Sequence, residues 1–270
     1  MDQWVAVLVG VVQGVLEWLP VSSEGATSLA LTLATDATPK AAVSYALFLH
    51  AGTALAATAY YRGEIASVVR RLPDLRPRTA FERPTADVSF LIVGTLVSGV
   101  VGLTAYKMLE QLVSDLAGGA FVAVIGGLLI VTGLVQRAAE SRDERHTTDP
   151  TLFDAVLVGG LQGLAILPGV SRSGTTVSAL LLREYEGVEA LRLSFLLSIP
   201  AALGAGLLAV LDTGLSNVSP AAAVTALAVS AVIGYLTVGA LVALARRVAF
   251  WGICIAFGSL AVVGGLLLVL

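Results

Sequence analysis

Apolar residues run along this chain in long uncharged blocks. Residues 41–61, 88–106, 119–136, 193–211, 221–245 and 248–270 each form one, and each is close to the roughly 20 residues of helix needed to cross a hydrocarbon core of about 30 Å. Six transmembrane helices are predicted. Two further apolar stretches, 4–19 and 152–167, end in a Pro/Ser/Gly break and are followed by a second short apolar stretch. At ~1.5 Å per residue an arm of about 16 residues reaches only ~25 Å, which is short for a crossing. Each pair therefore reads as a re-entrant helical hairpin, over 3–35 and 152–185. Irregular backbone at membrane depth is tolerated only where protein buries it or where it lines a wet cavity, so the two breaks should face each other.

The breaks are copies of one another. Gln13-Gly14-Val15-Leu16-Glu17-Trp18-Leu19-Pro20-Val21-Ser22-Ser23-Glu24-Gly25 returns as Gln162-Gly163-Leu164-Ala165-Ile166-Leu167-Pro168-Gly169-Val170-Ser171-Arg172-Ser173-Gly174, with the proline shifted by one. Ser44-Tyr45-Ala46-Leu47-Phe48-Leu49 likewise resembles Ser194-Phe195-Leu196-Leu197-Ser198-Ile199. The expected fold is thus an all-α polytopic membrane protein of two repeats, 1–140 and 151–270, each one re-entrant hairpin plus three transmembrane helices. A hairpin returns to its own side and three spans do not, so the repeats should have inverted topology.

Composition agrees and orients the picture. With 57% hydrophobic and 13% charged residues the chain has too little polar surface to close around a soluble core. The basic residues fall unevenly on that topology. Arg62, Arg70, Arg71, Arg76, Arg78, Arg83, Arg137, Arg142, Arg145, Arg183, Arg192, Arg246 and Arg247 lie on one side, against Lys40 and Lys107 on the other. The arginine-rich side should be cytoplasmic, with both termini and the entrance to the first hairpin extracytoplasmic. The start lacks the basic residues of a signal peptide. The single Cys254 excludes disulfide and zinc frameworks and reads as packing. Nothing points to nucleic acid.

Chemistry concentrates at the breaks. Gln13 and Glu17 lie four apart on one helix face. A carboxylate in an apolar helix costs a few kcal/mol, about 3 on insertion scales, unless it lines a cavity or has a cation or proton to share. Glu17 is accordingly either solvated at the interface or a metal ligand or general base, with Gln13 beside it as a second ligand. Arg172, among Ser171, Ser173, Gly174, Thr175 and Thr176 at an expected helix start, has the donors of a phosphate site: hydroxyls, free amides, the positive helix end and a planar guanidinium. Equally, Arg172 could pair internally with Glu17. Ser22 and Ser23 are each a nucleophile or a helix cap, with Glu24 and Gly25 completing the turn. His50 in its span reads as hydrogen-bonded to a neighbouring backbone group or as catalytic, and His146 as solvent-exposed.

Gln13-x-x-x-Glu17, Leu19-Pro20-Val21-Ser22-Ser23-x-Gly25, Phe48-Leu49-His50-Ala51-Gly52-Thr53 and Pro168-Gly169-Val170-Ser171-Arg172-Ser173-Gly174-x-Thr176 together resemble the signatures of the undecaprenyl-diphosphate phosphatase family of the bacitracin-resistance type, across the whole chain. The resemblance implies a membrane hydrolase that converts a polyprenyl diphosphate to the monophosphate carrier of cell-envelope glycan synthesis. It implies Gln13 and Glu17 as the acidic motif, Ser22 and Ser23 as the paired serines and Arg172 as the diphosphate-binding arginine. Ser171, Ser173 and Thr176 would be its phosphate loop, and a divalent cation, Mg2+ or Ca2+, would assist. One departure stands out: the family usually reads Ser-Ser-Thr-Gly-His, and this chain reads Ser22-Ser23-Glu24-Gly25-Ala26. That puts the proton-transfer group in question, with Glu24 or Glu17 as substitutes. The expected partners are the polyprenyl diphosphate and the membrane, with a homodimer as the candidate assembly. The rival reading is a lipid-phosphate flippase or transporter, because inverted repeats with broken helices are also transporter architecture.

Overall fold

The computed structural model describes residues 2–35, 37–115, 118–140, 149–213, 218–245 and 247–268; His146, Arg142, Arg145 and Arg246 lie outside them. Among the described residues every regular element is helical.

The first break has a simple origin. Helix α1 (Gln3–Leu16) ends at Glu17, whose amide makes the last bond to the Gln13 carbonyl at 3.1 Å. Pro20 then lacks an amide and pushes Leu19 away from helical geometry. Helix α2 (Ser23–Ala34) restarts under the Ser22 cap. In the second half α7 (Leu152–Leu164) stops before Pro168 and α8 (Arg172–Leu182) restarts under Ser171. The two caps are chemically identical: Ser22 Oγ accepts the Gly25 amide and Ser171 Oγ the Gly174 amide, both at 3.1 Å.

Between and after the hairpins stand α3 (Pro39–Tyr60), α5 (Ala86–Asp115), α6 (Gly118–Glu140), α9 (Gly187–Thr213), α10 (Pro220–Ala245) and α11 (Phe250–Leu267). All six are long and apolar enough to cross a membrane, and each falls on one of the runs read from the sequence. The chain is a polytopic, all-helical membrane protein. A short polar helix, α4 (Arg62–Arg71), follows α3.

The packing of one half repeats in the other. The contact of α1 with α10 corresponds to that of α7 with α5, α3 with α10 to α9 with α5, and α2 with α3 to α8 with α9; α3 packs on α9, and α6 on α11. Helices α3 and α9 are the centre, with 67% and 56% of their apolar windows buried against protein, whereas α10 and α11 bury 22% and turn apolar side chains outward. Between α6 and α11 the backbones touch. A Cβ on Gly126 would lie 2.5 Å from the Gly258 carbonyl oxygen, and one on Gly258 would lie 2.7 Å from that of Gly126, the small-residue contact by which helices associate in lipid. The second hairpin is also tied at its base. Asp154, fully buried, accepts Thr151 Oγ1 (2.6 Å), Arg183 Nε (2.7 Å) and Tyr185 OH (2.9 Å), so the start of α7 holds the end of α8.

Candidate active site

The two hairpin tips meet. Ser22 Oγ, already capping α2, also accepts the amide of Gly169 at 3.0 Å. Thr132 from α6 completes the seam, donating to the Gly169 carbonyl and accepting the Ser171 amide, each at 3.3 Å. Gly169 has φ +100° and sits against the Ile125 carbonyl, a conformation that penalises any residue with a Cβ. Carbonyls freed by the first break are also accepted: Leu19 by Ser173 Oγ at 3.1 Å, Pro20 by Gln136 Nε2 at 2.6 Å and Cys254 Sγ at 3.4 Å. Backbone unwound at the break is thus satisfied by protein.

Glu17 is the hub. Its residue is 5% exposed. One oxygen, Oε1, pairs with Arg172 Nη2 from the other half of the chain. The other, Oε2, accepts Ser23 Oγ at 2.7 Å and Gln13 Nε2 at 2.9 Å, and has His50 Nε2 3.4 Å away. Gln13 is aligned in turn by Thr27, whose hydroxyl donates to its Oε1 at 3.3 Å. The Arg172 guanidinium lies over the Phe195 ring, 5.9 Å from its centroid, and Phe195 meets the buried Trp18 edge-on at 5.7 Å. Burial and stacking hold the guanidinium in one place.

Two polar atoms of residues lining one small cavity are buried without a hydrogen-bond partner, Arg172 Nη1 and Glu24 Oε1, and Trp18 Nε1 is a third behind them. A buried orphan costs about 1–3 kcal/mol, more when charged, and Arg172 and Glu24 line that small cavity together with Glu17, Ser23 and His50. Glu24, Arg172 and His50 also line the head of a second cavity of about 290 Å³, whose remaining wall is mostly apolar, including Leu47, Leu103, Ala205 and Leu208. A larger cavity, about 430 Å³, lies beyond Trp18 and Pro20; it includes Ser173 but neither Glu17 nor Arg172.

The site residues expected from sequence divide into two groups. Gln13, Glu17, Ser23, Glu24 and Arg172 converge on one point. Ser22 and Ser171 are caps, and their oxygens take the amides of Gly25 and Gly174. Ser173 is occupied by Leu19. Thr175 and Thr176 return their hydroxyls to the Ser171 and Arg172 carbonyls at 2.9 and 2.8 Å, and Thr176 also meets Ser194 Oγ at 2.6 Å, the usual habit of threonine inside a helix. The first two amides of α8, of Arg172 and Ser173, precede the helix's own acceptors and supply the positive helix end.

Sequence reasoning missed Thr132 and Gln136. Their i, i+4 spacing inside the apolar run of α6 was the available signal, since two polar residues on one face of a span need a polar partner. It placed His50 correctly against a backbone carbonyl, Ala46 at 2.8 Å, and did not foresee Glu17 on the other side of the ring.

A divalent cation was expected on Glu17 and Gln13. Among the described residues no three His, Cys, Asp or Glu side chains converge to cage an ion. Gln13 Oε1 is taken by Thr27, and both Glu17 oxygens are engaged. The free Oε1 of Glu24 is the open hard donor. That donor set fits Mg2+ held in its common manner, by one or two carboxylates with the remainder supplied by substrate phosphates and water.

Comparison with known proteins extends over the same motifs. The family profile described as bacitracin resistance protein BacA matches residues 6–262. The undecaprenyl-diphosphatase of Haloarcula marismortui is 59% identical over 98% of this chain and 98% of its own length. Proteins of the same name from Methanococcoides burtonii and Methanopyrus kandleri are 38% and 41% identical, over 95% and 97% of this chain and 96% and 95% of theirs.

Proposed function

Since the chain belongs to the family of bacitracin resistance protein BacA, we propose that it is an integral membrane phosphatase hydrolysing undecaprenyl or a related polyprenyl diphosphate to the monophosphate and inorganic phosphate. The observation that carries this reading is the unpartnered Nη1 of Arg172, a buried cationic donor beside a serine already hydrogen-bonded to a carboxylate.

The geometry translates into a sequence of roles. Arg172 Nη1 and the first amides of α8 bind the phosphates, and the helix end adds positive potential. The prenyl tail lies along the apolar wall of the 290 Å³ cavity, which leads from the head of the site. Ser23 Oγ attacks the terminal phosphorus in line. As its bond to phosphorus forms, the bridging P–O bond breaks, the electron pair leaves on the lipid monophosphate, and the hydroxyl proton passes to Glu17 Oε2. At 2.7 Å that carboxylate is within general-base reach. Water then cleaves the phosphoserine to release inorganic phosphate. Gln13 and Arg172 hold Glu17 from both sides, so the base is positioned before substrate arrives. Most of the acceleration comes from such preorganised charge around the phosphoryl group. Glu24 and the phosphates would hold a divalent ion, which supplies charge neutralisation.

The topology supports access from outside. With the arginine-rich ends of the spans cytoplasmic, the entrance to the first hairpin faces the extracytoplasmic side and the second hairpin re-enters from the cytoplasmic side. The matched packing of the two halves supports the internal repeat, and its inversion follows from one re-entrant hairpin plus three spans in each half.

Phosphate release by purified protein in detergent is the direct test, because no gradient exists there to drive transport. Inorganic phosphate should appear from polyprenyl diphosphate with wild-type protein and not with Arg172→Ala. A folded wild type that binds the lipid and releases none would overturn the reading.

A further inference from the structure

His50 is not used in the mechanism above, yet its ring bridges two of the site's fixed points. A carbonyl oxygen can only accept, so at 2.8 Å from Ala46 the Nδ1 of His50 must carry a hydrogen. The remaining nitrogen, Nε2, then faces Glu17 Oε2 at 3.4 Å. In the neutral ring these are two lone pairs opposed inside a buried site, a contact relieved by one shared proton. That proton is available: Ser23 donates to the same oxygen at 2.7 Å. His50 also lines both the small cavity with Glu17, Ser23 and Arg172 and the head of the apolar cavity, so its ring edge reaches the space where the leaving group must lie.

We propose that His50 is the proton-transfer residue of the reaction, an assignment that rests on the phosphatase reading. When Ser23 attacks, its proton moves to Glu17 Oε2 and on to His50 Nε2, giving an imidazolium held between the Ala46 carbonyl and the carboxylate. The imidazolium then protonates the oxygen of the departing lipid monophosphate and returns to the neutral ring before water cleaves the phosphoserine. An imidazole delivered from α3 thereby does the work left open by Ala26 on α2, and Glu24 is not needed for proton transfer.

The test compares wild type, His50→Ala and His50→Gln in the detergent assay, each with and without added imidazole. Both variants should lose about 10²–10⁴-fold in kcat with KM and thermal midpoint near wild type, and imidazole should restore turnover in His50→Ala while leaving wild type unchanged. Wild-type kcat in His50→Gln would overturn the proposal while the phosphatase reading stands; so would a loss in His50→Ala that imidazole does not relieve. A wild type that releases no phosphate would overturn both together. A second measurement leaves His50 in place: ¹⁵N NMR of the imidazole in His146→Gln protein should show Nδ1 protonated. A bare Nδ1 with a protonated Nε2 would refute the relay.

Discussion

Glu17 and Arg172, separated by 155 residues, form the ion pair that joins the end of α1 to the start of α8. The pair leaves one guanidinium nitrogen, Nη1, without a hydrogen-bond partner, and the phosphate-binding role proposed for Arg172 rests on that free donor. Ser23 and Arg172 hold corresponding positions in the two copies, each directly after a capping serine, so the two-fold repetition delivers a hydroxyl from one half and a cation from the other.

Substitution at this pair separates stability from chemistry. Removing one partner of a buried pair costs about 3–5 kcal/mol, so Glu17→Ala and Arg172→Ala should each lower the thermal midpoint as well as abolish phosphate release. The double variant Glu17→Gln/Arg172→Gln, which leaves no lone charge, should regain much of the stability and none of the activity. Melting curves and phosphate release on the same preparations check this.

Arg172→Lys keeps the charge and loses the planar fork. It should retain lipid binding and lose about 10²–10³-fold in kcat, the range found when one donor to a developing oxyanion is removed. Steady-state kinetics with KM and kcat separated are the measurement.

The paired serines should behave differently. Ser22→Ala removes a cap worth ~1 kcal/mol and the bond to Gly169, so it should lower the thermal midpoint with a modest loss of rate. Ser23→Ala removes the proposed nucleophile and one buried hydrogen bond to Glu17, so it should lower the midpoint no more than Ser22→Ala does while kcat collapses. Mass spectrometry of trapped protein should show a phosphoryl group on Ser23 in wild type and none in Ser23→Ala.

Gly169→Ala introduces a Cβ at positive φ against the Ile125 carbonyl. Strain of roughly 1–3 kcal/mol is expected, displayed as a lower thermal midpoint. Because Gly169 also donates to Ser22 and accepts from Thr132, the loss should exceed that of Ser22→Ala.

Chelation should slow phosphate release, and Mg2+ or Ca2+ should restore it. Glu24→Gln removes the open carboxylate oxygen and should raise the metal concentration needed for half-maximal activity several-fold, with little change at saturating metal. A Glu24→Gln metal titration indistinguishable from wild type would remove Glu24 as a ligand.

The membrane class, the six spans and the two helix breaks were legible in the sequence by itself, because lipid forces each crossing to be a long apolar helix and a proline followed by a serine cap interrupts one, whereas the lone Pro200 stays inside α9. The repeated motif also identified Glu17 and Arg172, since charge in apolar surroundings is conspicuous along a line of residues. Which hydroxyls were free was not legible. Ser22, Ser23, Ser171, Ser173, Thr175 and Thr176 look alike in one dimension, and only packing decided that Ser22 and Ser171 cap, Thr175 and Thr176 turn back on their own helix, and Ser23 alone meets Glu17. His50, Thr132 and Gln136 entered the site by the same route. They come from spanning helices distant in sequence, and hydrogen bonds reach only a few ångströms, so their partners exist only once the helices are packed.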